Sequence, residues 1–589
     1  MLTLTPSTIQ AAAAGKLLLF SLLAFGVFAF PRFASGRRWL SLAAAAIAAI
    51  VTLPGLIFFR AATPWNQLRG DELLVAASYQ RVISDGAGHD FSYPRLPPFY
   101  PPLWFYAVGG LAQAAGLDGV GAAKLGIALA TVGVLPGVWF FWRWRREDDA
   151  VAAQPMWPLL LTVLPFATVD FPSVLTKPYE FLSAFGALLW FVSLRRRMTE
   201  GPWRWRTSLG FGVAAALLFS TYYLWFVMVA IAAVTFAPWR HPRAWLAHLA
   251  HWGSVAGVAV VGTAWYWWPL VASYRQWGME NWQPAFFIHA DFNFFPPLEF
   301  TPRSAWLWLG LLALIRYRRR ALVQPALHLL TACYVWQIVS LVATLAGDAP
   351  FQAARGFTFL GEIILAYGGA YGLAAWIAAA PPAAGMATIA AVLRERFLGP
   401  SPAPSTATRF FCCWLAIAVS LPFGLWLDQA ATQQRINELR LAKPGAVELF
   451  TRYFRQQPAA ARLTTLSFVP PLSAYVALSQ YISHNQHYSH PAANFSRRFN
   501  YLASLASAQT PQEFHRRFVQ DNPYEPIQQL LLYANGENYE LYFWLDDYPN
   551  GGREAVIRWP KRLIAEPYFR PVSGLAIGGF DGWRTIERR

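Results

Sequence analysis

The stretch RGDELLVAASYQRVISDGAGHDFSYPRLPPFYPPLWF, residues 69–105, sets two adjacent carboxylates and a run of prolines and aromatics between apolar segments. Before it lies WLSLAAAAIAAIVTLPGLIFF (39–59), and beyond it GIALATVGVLPGVWFFW (126–142). Such runs have about the 20 residues that a helix needs to cross roughly 30 Å of hydrocarbon. With 589 residues, 56% hydrophobic and only 13% charged, the chain reads as a polytopic α-helical membrane protein. The quoted stretch is then a loop at a membrane edge, and which edge decides its meaning.

The net charge of +17 sits in short clusters between the apolar segments: Arg37-Arg38, Arg143 to Arg146, Arg195 to Arg197, Arg240 to Arg243, Arg316 to Arg320 and Arg394 to Arg396. Clusters so placed are orientation signals rather than a nucleic-acid surface. About twelve spans, from 10–31 and 38–59 to 410–428, put all of them on one side, the cytoplasmic side of a bacterial inner membrane. Loop 62–119, DFPSVLTKPYE (170–180), FFIHADFNFFPPLEFTPR (286–303), LAGDAPFQAARG (345–356) and everything after residue 430 then face outward. That assignment makes PPLWFYAVGGLAQAAG (101–116) an interfacial or half-inserted helix and lets 206–237 cross twice, as 206–220 and 222–237.

Past residue 430 the composition turns polar, and NYELYFWLDDYP (538–549) alternates as a strand does. Two domains are expected: a membrane part, 1–429, and a soluble extracytoplasmic tail of mixed α and β structure, 430–589. Cys333, Cys412 and Cys413 all fall in apolar segments without metal-ligand spacing, as packing residues do.

The sequence has no Gly-rich phosphate loop, nucleotide fingerprint or His/Cys metal cluster. An enzyme built this way needs a donor that is already activated and already in the membrane, as a lipid-linked phosphosugar is. Transfer to a hydroxyl then requires a base for the acceptor's proton and cations for the departing phosphate. Asp71 is the candidate base, with Glu72 beside it; the competing reading is a pair of anions in the first turn of a helix, where the dipole favours them. Lys177, Tyr179 and Glu180 are candidates for the donor, Lys177 for its phosphate and Glu180 for sugar hydroxyls or a pair with Lys177, against a snorkelling lysine with an interfacial tyrosine. Arg303 and Arg355 are basic on the side where basic residues are depleted, which points to phosphate; an ion pair of Arg355 with Asp348 or Glu362 is the alternative. Glu362 lies in an apolar run, and carboxylates so placed are functional candidates. His484, His487 and His490 lack acidic ligands in zinc-site spacing and read first as capping or polar residues, although His487, His490 and Tyr100 are also candidates to shape an acceptor groove. Tyr222 and Tyr223 read as aromatic belt or core, with sugar stacking as the alternative.

An acidic helix followed by the platform RLPPFYPPLWF resembles the first extracytoplasmic loop of GT-C glycosyltransferases. Together with KPYEFL (177–182), HYSHPAANFSRRFNYLASLASAQTPQEF (487–514) and DDYPN (546–550), it resembles the galactan arabinofuranosyltransferase family of actinobacterial cell-wall synthesis. The resemblance implies a GT-C architecture and an inverting transfer of arabinofuranose from a polyprenyl-phosphate donor; no metal ligand set or other cofactor motif is read from the sequence. It implies Asp71 as the acidic catalytic position, although the family commonly follows this Asp with an amide and here Glu72 adds a second charge. The acceptor it implies is a cell-envelope polysaccharide. A type IV pilin acceptor for the same donor, and a transporter or flippase of lipid-linked sugars, are the competing functions.

Overall fold

The computed structural model describes residue 68 and residues 70–144, 149–152, 156–169, 174, 176, 177–199, 203–347, 349–379, 446–467, 469–571 and 583–588. The expected spans 10–31, 38–59 and 410–428, the clusters at Arg37 and Arg394, Asp348, Cys412 and Cys413 lie outside the described residues.

The opening stretch folds as two helices. Helix α1, Gly70–Asp85, carries Asp71 and Glu72 in its first turn, as the dipole argument requires. Helix α2, Leu103–Ala114, starts where Pro101 and Pro102 end and is too short to span, in keeping with its reading as an interfacial element. The two pack through Tyr79 and Phe105, whose rings meet edge-on at 5.1 Å.

The membrane part continues through α3 (Gly119–Trp144), α4 (Met156–Thr168), α5 (Pro178–Thr199), α6 (Trp205–Thr221), α7 (Trp225–Thr235), α8 (Pro242–Gly262), α9 (Ala264–Trp277), α10 (Pro302–Arg316), α11 (Val323–Gly347) and α12 (Glu362–Ala378). Among the described residues three helical stretches are long and apolar enough to cross a membrane: Pro242–Gly262, Val323–Gly347 and Ala353–Ala378. The 206–237 run is broken at Tyr222–Leu224 into α6 and α7. Helices α10 and α12 approach so closely that a Cβ on Gly310 would lie 2.0 Å from the Leu365 carbonyl oxygen, the small-residue contact by which helices pack in lipid.

Among the described residues the tail contains α13, Ala446–Gln456, and one seven-stranded mixed sheet. Strand β1 (Thr464–Ser467) pairs in parallel with β2 (Ser479–Gln480) and β3 (Gln529–Asn535), and β3, β4 (Asn538–Leu545) and β5 (Arg553–Pro560) follow antiparallel. Strand β7 (Trp583–Arg588) pairs with β3 and with β6 (Phe569–Pro571). Helices α14 (Phe495–Ser504) and α15 (Pro511–Gln520) cover the core around Trp559 and Phe514.

A third apolar cluster joins the two parts: Leu73, Ala76 and Val120 of the membrane part pack with Phe450, Leu472, Leu478 and Leu531 of the tail. Polar contacts lock the same joint. Arg81, 1% exposed, donates to the Leu478 carbonyl at 2.5 Å, to Ala477 at 3.2 Å, to Phe91 at 3.0 Å, and pairs with Asp85 at 2.5 Å. Tyr93 reaches Ser489 at 2.9 Å and accepts from the Ser483 amide at 2.8 Å. Arg81→Ala leaves buried carbonyls unpaired, each costing about 1–3 kcal/mol. The expected result is a lower Tm in detergent and faster proteolytic release of the tail; an unchanged cleavage pattern would remove Arg81 from this role.

Candidate active site

Where the loop, the membrane helices and the tail meet, a cavity of about 370 Å³ opens, within the size range of small-molecule sites. Asp71 projects into it from the first turn of α1. Gly70 enters that turn at φ +53°, in the left-handed region that favours glycine before the carboxylate. Lys177 precedes Pro178, which holds it extended at the mouth of α5. Its Nζ lies 2.7 Å from Asp71 Oδ2, and the Tyr488 hydroxyl donates to Oδ1 at 3.2 Å.

Burial pushes the Asp71 carboxyl up, but the Lys177 ammonium, by charge and by hydrogen bond, Arg355 and the Tyr488 hydroxyl together hold it below the ordinary value of 3.8. About a third of its side chain, 35%, stays open. Asp71 is therefore an ionised carboxylate that a substrate can reach. Tyr100, on the cavity wall, has its phenol pushed well above 10.0, chiefly by burial, and remains a hydrogen-bond donor.

The second charged pair lies deeper. Arg355 Nη2 pairs with Glu180 Oε2 in the first turn of α5 and donates to the Tyr222 hydroxyl at 2.7 Å. Tyr222 stands at the break between α6 and α7, where Ser183 Oγ donates to its carbonyl at 3.2 Å. Arg355 is presented by a single 3-10 turn, Ala353–Gly356. Phe351 (φ 43°), Gln352 (φ 50°) and Phe359 (φ 61°) flank it in the left-handed region, where each non-glycine residue costs on the order of 1–3 kcal/mol. Asp291 anchors the turn by accepting from the Ala354 amide at 2.9 Å. Strain of this kind persists where surrounding structure holds it for a purpose. Tyr179, sandwiched between Phe105 (5.2 Å) and Tyr222 (5.8 Å), completes the floor, and Trp282, Phe286 and Trp336 form an aromatic wall.

Residues far apart in the sequence thus converge: Asp71, Tyr100, Lys177, Tyr179, Glu180, Arg355 and His487 all line the cavity. Four other expected site residues do not. Glu72 is not on its wall, because successive helix residues point about 100° apart and only Asp71 faces inward. Arg303 and Glu362 pair with each other; Arg303 also donates to the Thr168 carbonyl at 2.8 Å, and Glu362 accepts from the Phe359 amide at 3.1 Å. That pair ties α10 to the start of α12, apart from the cavity. His490, 1% exposed, accepts from the Ala492 amide at 3.0 Å through Nδ1 and is driven down to about 3 by burial, so it caps a turn as a neutral ring rather than touching an acceptor. Partners also differ from those expected: Glu180, not Asp348 or Glu362, holds Arg355, and Lys177 pairs with Asp71 rather than Glu180.

Tyr488 and Trp282 were missed in the sequence, and Tyr222 reads there as belt or core. The one available sign for Tyr222 is its place at the division of the 206–237 run. No group of three or more His, Cys, Asp or Glu side chains suited to a metal occurs among the described residues.

The chain has relatives among known proteins. The chain is 25% identical over 514 residues to a galactan 5-O-arabinofuranosyltransferase of Mycolicibacterium smegmatis, covering 80% of this chain and 75% of that protein. It is also 25% identical over 533 residues to the protein of the same description in Mycobacterium tuberculosis, covering 83% and 76%. The protein is a helical membrane glycosyltransferase related to the galactan arabinofuranosyltransferases. No family model matches the chain. Among solved structures, ArnT of Cupriavidus metallidurans bound to undecaprenyl phosphate matches with a TM-score of 0.47 at 14% identity, covering 89% of this chain and 98% of that one. The similarity to the transferases extends over membrane part and tail alike, the two parts that the cavity joins.

Proposed function

We propose that the protein is a GT-C enzyme that moves arabinofuranose, with inversion, from a polyprenyl-phosphate donor to a hydroxyl of a galactan-like cell-envelope polysaccharide. The observation that carries this reading is Asp71: an ionised carboxylate between Lys177 and Tyr488, in a cavity that also presents Arg355. In the reaction the acceptor oxygen attacks the anomeric carbon and its proton passes to Asp71. The bond from that carbon to the phosphate oxygen breaks, and polyprenyl phosphate leaves. Lys177 and Arg355 are placed to offset the charge on that oxygen. Glu180 holds Arg355 in position, and the aromatic wall excludes water that would hydrolyse the donor.

The sugar and the polysaccharide acceptor rest on the names of the relatives, which mention galactan and no protein. The basic clusters between apolar segments support a plasma-membrane enzyme of about twelve spans with the cavity and the tail, 430–589, outside. Purified protein in lipid nanodiscs, given polyprenyl-phosphoryl arabinofuranose and a galactan oligosaccharide, is expected to lengthen the oligosaccharide by arabinose and release polyprenyl phosphate. Transfer to a pilin peptide instead would replace the acceptor, and movement of the intact donor across the bilayer without transfer would make it a flippase.

A further inference from the structure

The tail brings a second polar pair to the cavity wall. His487 lines the cavity, and its Nδ1 lies 2.7 Å from Oδ1 of Asp546, whose side chain is 0% exposed. Asp546 belongs to the DDYPN motif at the end of β4. Its backbone amide donates to Gln486 Oε1 at 3.1 Å, which binds the end of the strand to the turn that carries His487. The imidazole is fixed by Phe286 at 4.8 Å and Tyr488 at 4.2 Å. Among the described residues, Asp546 Oδ2 is buried without a hydrogen-bond partner, and His487 Nε2 makes no hydrogen bond.

A carboxylate buried with half of its oxygens unsatisfied is a poor device for stability alone, since an apolar pair would fill the same space without the desolvation cost. A carboxylate behind an imidazole has a known effect: it accepts from Nδ1–H, fixes the ring, and makes Nε2 of the neutral ring an acceptor. Here that acceptor stands one tyrosine away from the proposed catalytic position, because Tyr488 meets His487 edge-on and donates to Asp71.

We propose that His487, oriented by Asp546, binds a second hydroxyl of the acceptor sugar, beside the hydroxyl whose proton passes to Asp71. The pair is a recognition site for a polyhydroxylated acceptor, supplied by the tail together with Tyr488 to a cavity whose other walls come from the membrane part and its loop. His487 touches substrate; Asp546 is a positioning residue. No bond is made or broken at this pair. The inference rests on the sugar-transfer reading above.

The test uses the full chain in nanodiscs with polyprenyl-phosphoryl arabinofuranose and a galactan oligosaccharide. His487→Ala is expected to raise the acceptor KM about tenfold, the equivalent of one hydrogen bond, with the donor KM unchanged. Asp546→Asn raises the same KM, and the double variant is no worse than His487→Ala, because the two act as one unit. His487→Gln, whose carbonyl reaches the position of Nε2, restores part of the loss. An unchanged acceptor KM in His487→Ala, or donor and acceptor KM rising together in every variant, would assign the pair to the fold and overturn the inference. Absence of any transfer by the wild type would overturn the sugar-transfer reading itself, which separates the two failures.

Discussion

Asp71→Asn is expected to lower kcat by about 10²–10⁴-fold, the usual contribution of a general base. It is also expected to leave donor binding intact or tighter. The sign follows from the geometry: the carboxylate occupies Lys177 at 2.7 Å, so its loss frees an ammonium for the anionic phosphate. A variant that lost donor affinity and kept kcat would reverse the roles assigned to the two residues. The pH profile gives a second reading. Since Asp71 is held below 3.8, the acid limb of kcat/KM in the wild type should lie below that value. Lys177→Met removes the largest lowering influence and leaves burial to dominate, so the limb should move to higher pH. Stability follows the same sign: a depressed carboxyl contributes stability above its unfolded value that is lost as pH falls through the folded one. Lys177→Met should therefore flatten the acid dependence of Tm as well, and an acid limb that stays in place in that variant would exclude Asp71 as the titrating base.

Arg355→Met is expected to abolish transfer and to lower stability together. Glu180 is 2% exposed, and removing its partner leaves a buried charge uncompensated, at a cost of about 3–5 kcal/mol. The double variant Glu180→Gln, Arg355→Met removes both charges and should recover most of the lost Tm while remaining inactive. Recovery of activity along with stability would show that the pair serves only the fold. Arg355→Lys keeps the charge but not the planar fork that reaches Glu180 and Tyr222 at once, and an intermediate activity is expected.

Much of the site was legible in linear order because the strongest signals are local. Asp71 is marked by a helix start between apolar segments, Lys177 and Glu180 by charges at the head of an apolar segment, and Arg355 by a basic residue outside the arginine clusters. The pairing of those charges was not legible. Glu180 could be matched on paper with Lys177, and Arg355 with Glu362, since opposite charges carry no address. Arg303 and Glu362 share the chemical signature of the site residues but meet each other between α10 and α12. Tyr488 and Asp546 fall in motifs that carry the resemblance, and Tyr222 at a break in an apolar run, but that these particular side chains meet at the cavity comes from folding alone.

Hydrophobic run length was enough to establish the membrane character, because transfer of apolar groups between water and lipid depends on local composition. A resemblance in scattered motifs pointed to the enzyme class, and relatives 25% identical over about four-fifths of the chain bear that out. Only the tertiary structure decided that Asp71 and not Glu72 faces the cavity, that Lys177 holds it, and that the tail closes the site through Tyr488 and His487. Those facts depend on helix rotation and on contacts between residues 417 positions apart, as for Tyr488 and Asp71, and long-range geometry of that kind leaves no mark on neighbouring residues.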